Sequence, residues 1–124
     1  MDRHKKTTQM LGRFQPWHQG HTELFKRAIS KTGQVVIMLR AQDGSDKNPY
    51  SFEERKEHIQ QALKKAGFGY NLYEIIEVPN ITHITYGRDV GYTIEQEHLD
   101  KEIESISASK IRQANEAIEG KYGV

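Results

Sequence analysis

Apolar residues along the first two thirds of the chain alternate between short continuous runs and helically spaced positions. The runs predict strands and the spaced positions predict helices. The predicted elements are strands at 7–12, 35–39 and 71–78, and helices at 20–33 and 51–67. The run at 35–39 is apolar throughout, which is typical of a strand covered on both faces. Alternation of strand and helix predicts an α/β fold: a Rossmann-like three-layer domain with a parallel sheet.

The pattern weakens after residue 78. Residues 84–86 predict a fourth strand, and 93–106 carry isolated apolar residues among charges, which fits a short strand or an irregular crossover. A final helix is predicted from about Ser107 to Gly120. With no repeat or linker in the 124 residues, we expect a single domain over 1–124, with its core at about 7–118.

Composition excludes several classes of protein. Eighteen Lys and Arg against seventeen Asp and Glu leave a formal charge of +1, which argues against a dedicated nucleic-acid binder. The chain has no cysteine, and neither a signal peptide nor a membrane span is visible. We therefore expect a cytoplasmic protein without nucleic-acid or membrane partners, in which any anion site is local.

The loop after the first predicted strand carries residues suited to binding phosphate. Arg13, His18 and His21 surround a turn that contains Gly12 and Gly20. Gly20 would let a phosphate approach the backbone, while free N–H groups of the first helical turn and the helix dipole favour negative charge. A His-x-x-His zinc site and ordinary surface histidines are the alternatives.

The start of the predicted last helix is a second candidate. It places Lys110 where a capping-box carboxylate would stand, with Ser107 and Ser109 before it and Arg112 just beyond. Positive charge in a first turn opposes the helix dipole unless an anion lies in front of it. The segment therefore indicates a phosphate site, with an ordinary serine cap as the alternative.

Other loops give weaker signals. Gly87 and Arg88 follow the predicted fourth strand, where a ligand contact and a plain ion pair are equally good interpretations. Asp43, Asp46 and Asp89 could help to hold magnesium, although loop aspartates more often form turns.

Two segments together resemble the signatures of the HxGH nucleotidyltransferase superfamily. They are Gly-Arg-Phe-Gln-Pro-Trp-His-Gln-Gly-His at 12–21 and Ile-Ser-Ala-Ser-Lys-Ile-Arg at 106–112. The first is similar to the opening of archaeal-type nicotinamide mononucleotide adenylyltransferases, whose second phosphate-side loop resembles 48–55. Short phage cytidylyltransferase-like proteins are also similar throughout.

The resemblance implies transfer of a nucleoside monophosphate from ATP or CTP to a small phosphorylated acceptor, with release of pyrophosphate. Nicotinamide mononucleotide is the leading acceptor, and Mg²⁺ would bridge the phosphates without a protein ligand that we can name. The implied residues are catalytic His18, His21, Arg13 and Arg112; nucleotide-binding Gly12, Phe14, Gln15, Gly20, Ser107, Ser109, Lys110, Gly87 and Arg88; and acceptor-side Asn48 and Arg55.

The acceptor, the base and the oligomeric state stay open. The stretch 86–106 is shorter than in the nicotinamide enzymes, where it helps to form the base and acceptor pockets. The alternatives are a cytidylyltransferase acting on an alditol phosphate and a catalytically silent nucleotide-binding module. A homo-oligomer is a further expectation, as is host cytoplasm if a phage encodes the chain.

Overall fold

The computed structural model describes residues 1–88 and 91–99, so the predicted last helix and the segment 106–112 lie outside the described residues. Strands and helices alternate as the sequence predicts. The elements are β1 (Thr8–Gly12), α1 (Gln19–Thr32), β2 (Val35–Arg40), α2 (Phe52–Lys65), a 3₁₀ turn (Tyr70–Leu72) and β3 (Tyr73–Val78). The strands are parallel and ordered β1-β2-β3, which confirms the predicted α/β class.

The two helices cover one face of this sheet. Right-handed crossovers that step in one direction place both helices on the same side. Residues 35, 37 and 39 of β2 are fully buried in one cluster with Phe25 of α1 and Ile59 of α2. Val36 and Met38, on the opposite face, are only half-buried. Both described helices thus lie on one face of the sheet, and within the described residues β2 is covered closely on that face.

Local signals set the ends of the helices. Ser51 and Glu54 form the predicted capping box of α2, with reciprocal hydrogen bonds of 3.1 Å. α1 ends at Gly33, whose φ of 84° is left-handed and costs a glycine little. Its N–H donates to the carbonyl oxygen of Ile29 at 2.8 Å.

The chain beyond β3 is irregular over the described residues 79–88 and 91–99. The predicted strand at 84–86 is wrong: no ladder forms there, and Ile84 and Tyr86 are 67 % and 57 % exposed. The segment instead returns along α1, where Lys31 pairs with Glu95 and, at 3.0 Å, with Glu97. No helix in the described part of the chain is long and apolar enough to cross a membrane.

Candidate active site

The loop that leaves β1 turns sharply at Phe14, which has a left-handed φ of 50°. This conformation is unfavourable for a residue with a Cβ, so packing must hold it. Gly12 allows the turn, because a Cβ at that position would lie 2.9 Å from Cζ of Phe14. The peptide bond between Gln15 and Pro16 is cis. The loop thereby places an aromatic ring directly over the end of β1.

His18 and His21 cap the start of α1. Nδ1 of His18 accepts from the N–H of Gly20 at 3.0 Å, and Nδ1 of His21 accepts from the N–H of His18 at 3.0 Å. A neutral imidazole that accepts at Nδ1 carries its proton on Nε2. Each ring can therefore offer a ligand one donor, its Nε2–H.

This cap changes one expectation from the sequence. The first-turn N–H groups of α1 are not all free: Gly20 donates to the His18 ring, and His21 donates to the carbonyl oxygen of His18 at 2.9 Å. The Nε2–H groups of the two imidazoles are consequently donors that the turn can present to an anion in addition to its backbone. The helix dipole still favours negative charge at this end of α1.

Burial keeps both imidazoles neutral. It lowers the pKa of His18, and it lowers the pKa of His21 to about 3, with a smaller contribution from the neighbouring His18. The two rings are stacked with centroids 3.7 Å apart, where two positive charges would repel each other. The structure therefore favours neutral imidazoles, which act on an anion as hydrogen-bond donors, over charged imidazolium groups.

An aromatic cage fixes the ring of His21. Phe14 meets it edge-on with centroids 4.8 Å apart, and Trp17 lies at 5.4 Å. The indole Nε1–H of Trp17 donates to Oγ1 of Thr22 at 2.8 Å, so this buried ring is satisfied and held by α1. Ring contacts and hydrogen bonds thus hold the His21 imidazole in place.

A cavity of about 330 Å³ opens beside these residues at the carboxyl end of β1. This volume lies within the range of small-ligand sites, and the carboxyl end of a strand is where open α/β sheets bind ligands. The cavity is lined by polar Arg13, Gln15, His18 and His21 and by apolar residues that include Met10 and Leu24. Within residues 1–88 and 91–99, the lining contains one cation and no carboxylate, which suits an anion carrying an apolar group.

The loop between β2 and α2 packs against the β1 loop. Nη1 of Arg13 donates to Oδ1 of Asn48 at 3.2 Å. The buried amide of Gln15 pairs with the backbone of Tyr50, accepting its N–H at 2.9 Å and donating to its carbonyl oxygen at 3.0 Å. Asp43 forms a turn, because its carboxylate accepts from the N–H of Ser45 and this bond lowers its pKa. Asn48 is thus held beside the Arg13 side chain, although it does not itself line the cavity.

Arg55 lies behind the cavity rather than on its surface. Its side chain is 1 % exposed and donates to three carbonyl oxygens: from Nε to Ser51 at 3.2 Å, and from Nη1 to Arg13 at 3.0 Å and Arg40 at 2.9 Å. Burial lowers its pKa, and Glu77, whose carboxylate is 3.9 Å away, opposes that effect. Arg55 is therefore not among the residues that line the cavity in this structure.

The remaining candidate residues divide into two groups. Gly87 and Arg88 lie in the exposed segment after β3 and do not line the cavity. Arg112, Ser107, Ser109 and Lys110 lie outside the described residues. Sequence reasoning missed the Gln15–Tyr50 pair and the buried Arg55 anchor, since neither has a local signature. Among residues 1–88 and 91–99, no cluster of three histidines or acidic residues could bind a metal, which gives the zinc alternative no support there.

Comparison with known proteins identifies the family to which this chain belongs. The model of the cytidylyltransferase-like family matches residues 10–107, which include the whole cavity lining. The chain belongs to the cytidylyltransferase-like family. This result confirms the predicted superfamily.

Relatives within the family are named nicotinamide-nucleotide adenylyltransferases. The protein from Pyrococcus horikoshii is 37 % identical over 73 residues, covering 57 % of this chain and 39 % of its own. The protein from Thermoplasma acidophilum is 36 % identical over 102 residues, covering 73 % and 56 %. This cytidylyltransferase-like chain therefore spans about half the length of the curated relatives that it matches.

A solved structure shares the fold. A bifunctional NMN adenylyltransferase/ADP ribose pyrophosphatase from Francisella tularensis is similar with a TM-score of 0.57 and 31 % identity, over 60 % of this chain and 22 % of that one. Another structure of that description is complexed with AMP and a manganese ion. The likeness confirms that this family member is a Rossmann-like α/β domain.

Proposed function

We propose that this domain transfers a nucleoside monophosphate from a nucleoside triphosphate to a small phosphorylated acceptor, with ATP and nicotinamide mononucleotide as the leading pair. One observation carries the proposal: the stacked, neutral His18 and His21 and the cationic Arg13 line one cavity at the start of α1. Family membership and the names of the relatives support the same reaction.

The reaction needs positioning and charge stabilisation more than a protein nucleophile. A phosphate oxygen of the acceptor forms a bond to the α-phosphorus while the bond from that phosphorus to the bridging oxygen breaks, and pyrophosphate leaves. The Nε2–H groups of His18 and His21 would donate to the phosphate oxygens on which charge develops, and Arg13 would neutralise that charge. Neutral donors suit this role because they need no proton transfer.

Magnesium would arrive with the triphosphate. The cavity lining in the described residues offers no carboxylate, and Mg²⁺ in nucleotide sites is often held largely by phosphates and waters. These residues therefore fit a metal held by its substrate. A cytoplasmic setting, where such triphosphates are abundant, belongs to the same proposal.

The test is pyrophosphate release with ATP or CTP against nicotinamide mononucleotide and an alditol phosphate. We expect turnover with one pair and a loss of about 10²–10³ in kcat/KM for Arg13→Met, which removes the cation but keeps most of the chain length. Arg27→Met is the matched control, because Arg27 lies on α1, forms only a 3.9 Å ion pair with Glu97 among the described residues, and does not line the cavity.

Two results would contradict the proposal. One is that the wild-type protein releases no pyrophosphate with any pair in the panel. The other is an equal loss of kcat/KM in the Arg13→Met and Arg27→Met variants. Thermal shift separates inactivity from failure to bind, since a triphosphate at 100 times its Kd adds about 2.7 kcal/mol to stability. A shift with triphosphate alone and no turnover would identify a silent nucleotide-binding module.

A further inference from the structure

Arg55 joins the two strand ends that border the candidate site. The ladder between β1 and β2 ends with Gly12 opposite Leu39. The next carbonyl oxygens, those of Arg13 and Arg40, accept hydrogen bonds from the same atom, Nη1 of Arg55, at 3.0 and 2.9 Å. One side-chain nitrogen thus takes the place of the backbone hydrogen bonds between β1 and β2, at the point where the two chains separate beside the cavity.

The same guanidinium is tied to its own helix. Nε donates to the carbonyl oxygen of Ser51 at 3.2 Å, and Ser51 is the cap residue of α2. The rigid fork of a guanidinium can hold several acceptors in one fixed geometry, which a lysine ammonium cannot reproduce. The start of α2 therefore has a defined position relative to both strand ends.

Burying this charge is costly for folding. The Arg55 side chain is 1 % exposed, and its ion pair at 3.9 Å is with Glu77, whose side chain is 48 % exposed. An apolar side chain of similar volume is often as good or better for stability at such a position. The hydrogen bonds of Arg55 therefore indicate a need for fixed geometry beside the cavity, where Gln15 and Tyr50 make a parallel link between the same two loops.

We propose that Arg55 is a positioning residue for the transfer reaction: it fixes the backbone of Arg13 to the end of β2 and so sets the position of the cationic side chain in the cavity. The catalytic part of this inference rests on the proposed function. The structural part, coupling of the β1 loop to the loop before α2, can be measured without turnover.

The experiment compares Arg55→Lys and Arg55→Met with Leu63→Ala. Lysine keeps the charge without the fork, and methionine removes both. Leu63 lies on the same helix, is fully buried in the core and does not line the cavity, so its truncation destabilises the fold without touching the residues around the cavity. Steady-state kinetics with ATP and native-state hydrogen exchange of backbone amides are measured below every Tm.

In the kinetic arm, we expect kcat to fall about tenfold to a hundredfold in both Arg55 variants, because small misplacement of a charge-stabilising group has that effect. The KM for ATP should rise as well. Leu63→Ala should stay within about threefold of wild type, as expected for a stability change remote from the reacting groups. Full activity of Arg55→Lys, or equal losses in all three variants, would overturn the proposal.

In the exchange arm, two backbone N–H groups report on the loop before α2. The N–H of Tyr50 donates to Oε1 of Gln15, and the N–H of Asn48 donates to the carbonyl oxygen of Ser45. We expect both to exchange at least about tenfold faster in Arg55→Lys than in Leu63→Ala, as in local opening. Uniform exchange changes would overturn the coupling even if kcat falls. If the wild type releases no pyrophosphate with any pair, the proposed function fails, and the exchange result alone decides whether Arg55 couples the loops.

Discussion

Lowering the pH from 7.5 to 5 is expected to destabilise the folded domain through His21. Its pKa is about 3 in the folded state, chiefly because the ring is buried, and about 6.5 in the unfolded chain. Between these values the unfolded state binds more protons, so stability rises with pH. The contribution is fully present above pH 6.5 and is lost as the pH falls toward 3. At about 1.4 kcal/mol per pH unit, the loss at pH 5 is about 2 kcal/mol.

Urea unfolding at pH 7.5 and pH 5 measures this loss. The comparison variant is His21→Asn, whose Oδ1 can still accept from the N–H of His18 but does not titrate. His18 and His58 also have pKa values lowered by burial, and they contribute in both proteins. The difference between the two pH-dependent changes therefore isolates His21 and should be about 2 kcal/mol. Equal changes in the two proteins would refute a buried, neutral His21.

Three further predictions concern the same loop. His21→Ala should lower kcat/KM by about 10²–10³ through loss of a donor, with an unchanged far-ultraviolet circular dichroism spectrum; undiminished turnover would remove His21 from the site. Gly12→Ala should reduce the free energy of unfolding by about 1–3 kcal/mol, since the new Cβ would lie 2.9 Å from the Phe14 ring. The control is Gly87→Ala, where the new Cβ meets open space, and the free energy of unfolding should change by less than about 0.5 kcal/mol. Gln15→Met leaves the half-buried backbone of Tyr50 without both partners and should reduce the free energy of unfolding in urea by about 1 kcal/mol per group, the lower end of the range for unsatisfied groups. A change below about 0.5 kcal/mol, the size expected of a neutral surface substitution, would mean that the pair adds little.

Local signals made much of the fold predictable. The Ser51/Glu54 box and the left-handed Gly33 depend only on neighbouring residues, and the structure contains both. The strand prediction at 84–86 was wrong because β-branched and aromatic residues favour strands only where a neighbouring strand accepts them. Residues 84–86 have none in the described chain, and the side chains of Ile84 and Tyr86 are exposed.

The candidate site was predictable in its residues but not in its electrostatics. The spacing of His18 and His21 at a helix start indicates an anion site. Their stacking and shared capping role depend on the turn at Phe14, and no spacing rule gives that turn. The acceptor-side role expected of Arg55 came from the resemblance of 48–55 to a phosphate-side loop, and a local resemblance does not reveal that a side chain is buried among backbone carbonyls. Its three carbonyl partners come from three separate parts of the chain.

Among residues 1–88 and 91–99, every residue that lines the cavity falls between Met10 and Leu24. These nine residues come from a single short stretch of the chain, with contacts that are short in sequence and quick to form during folding. Lengthening or shortening the chain beyond Leu24 leaves these nine residues unchanged. A recognition surface of this kind can be carried intact between proteins of very different length, each of which supplies its own second half.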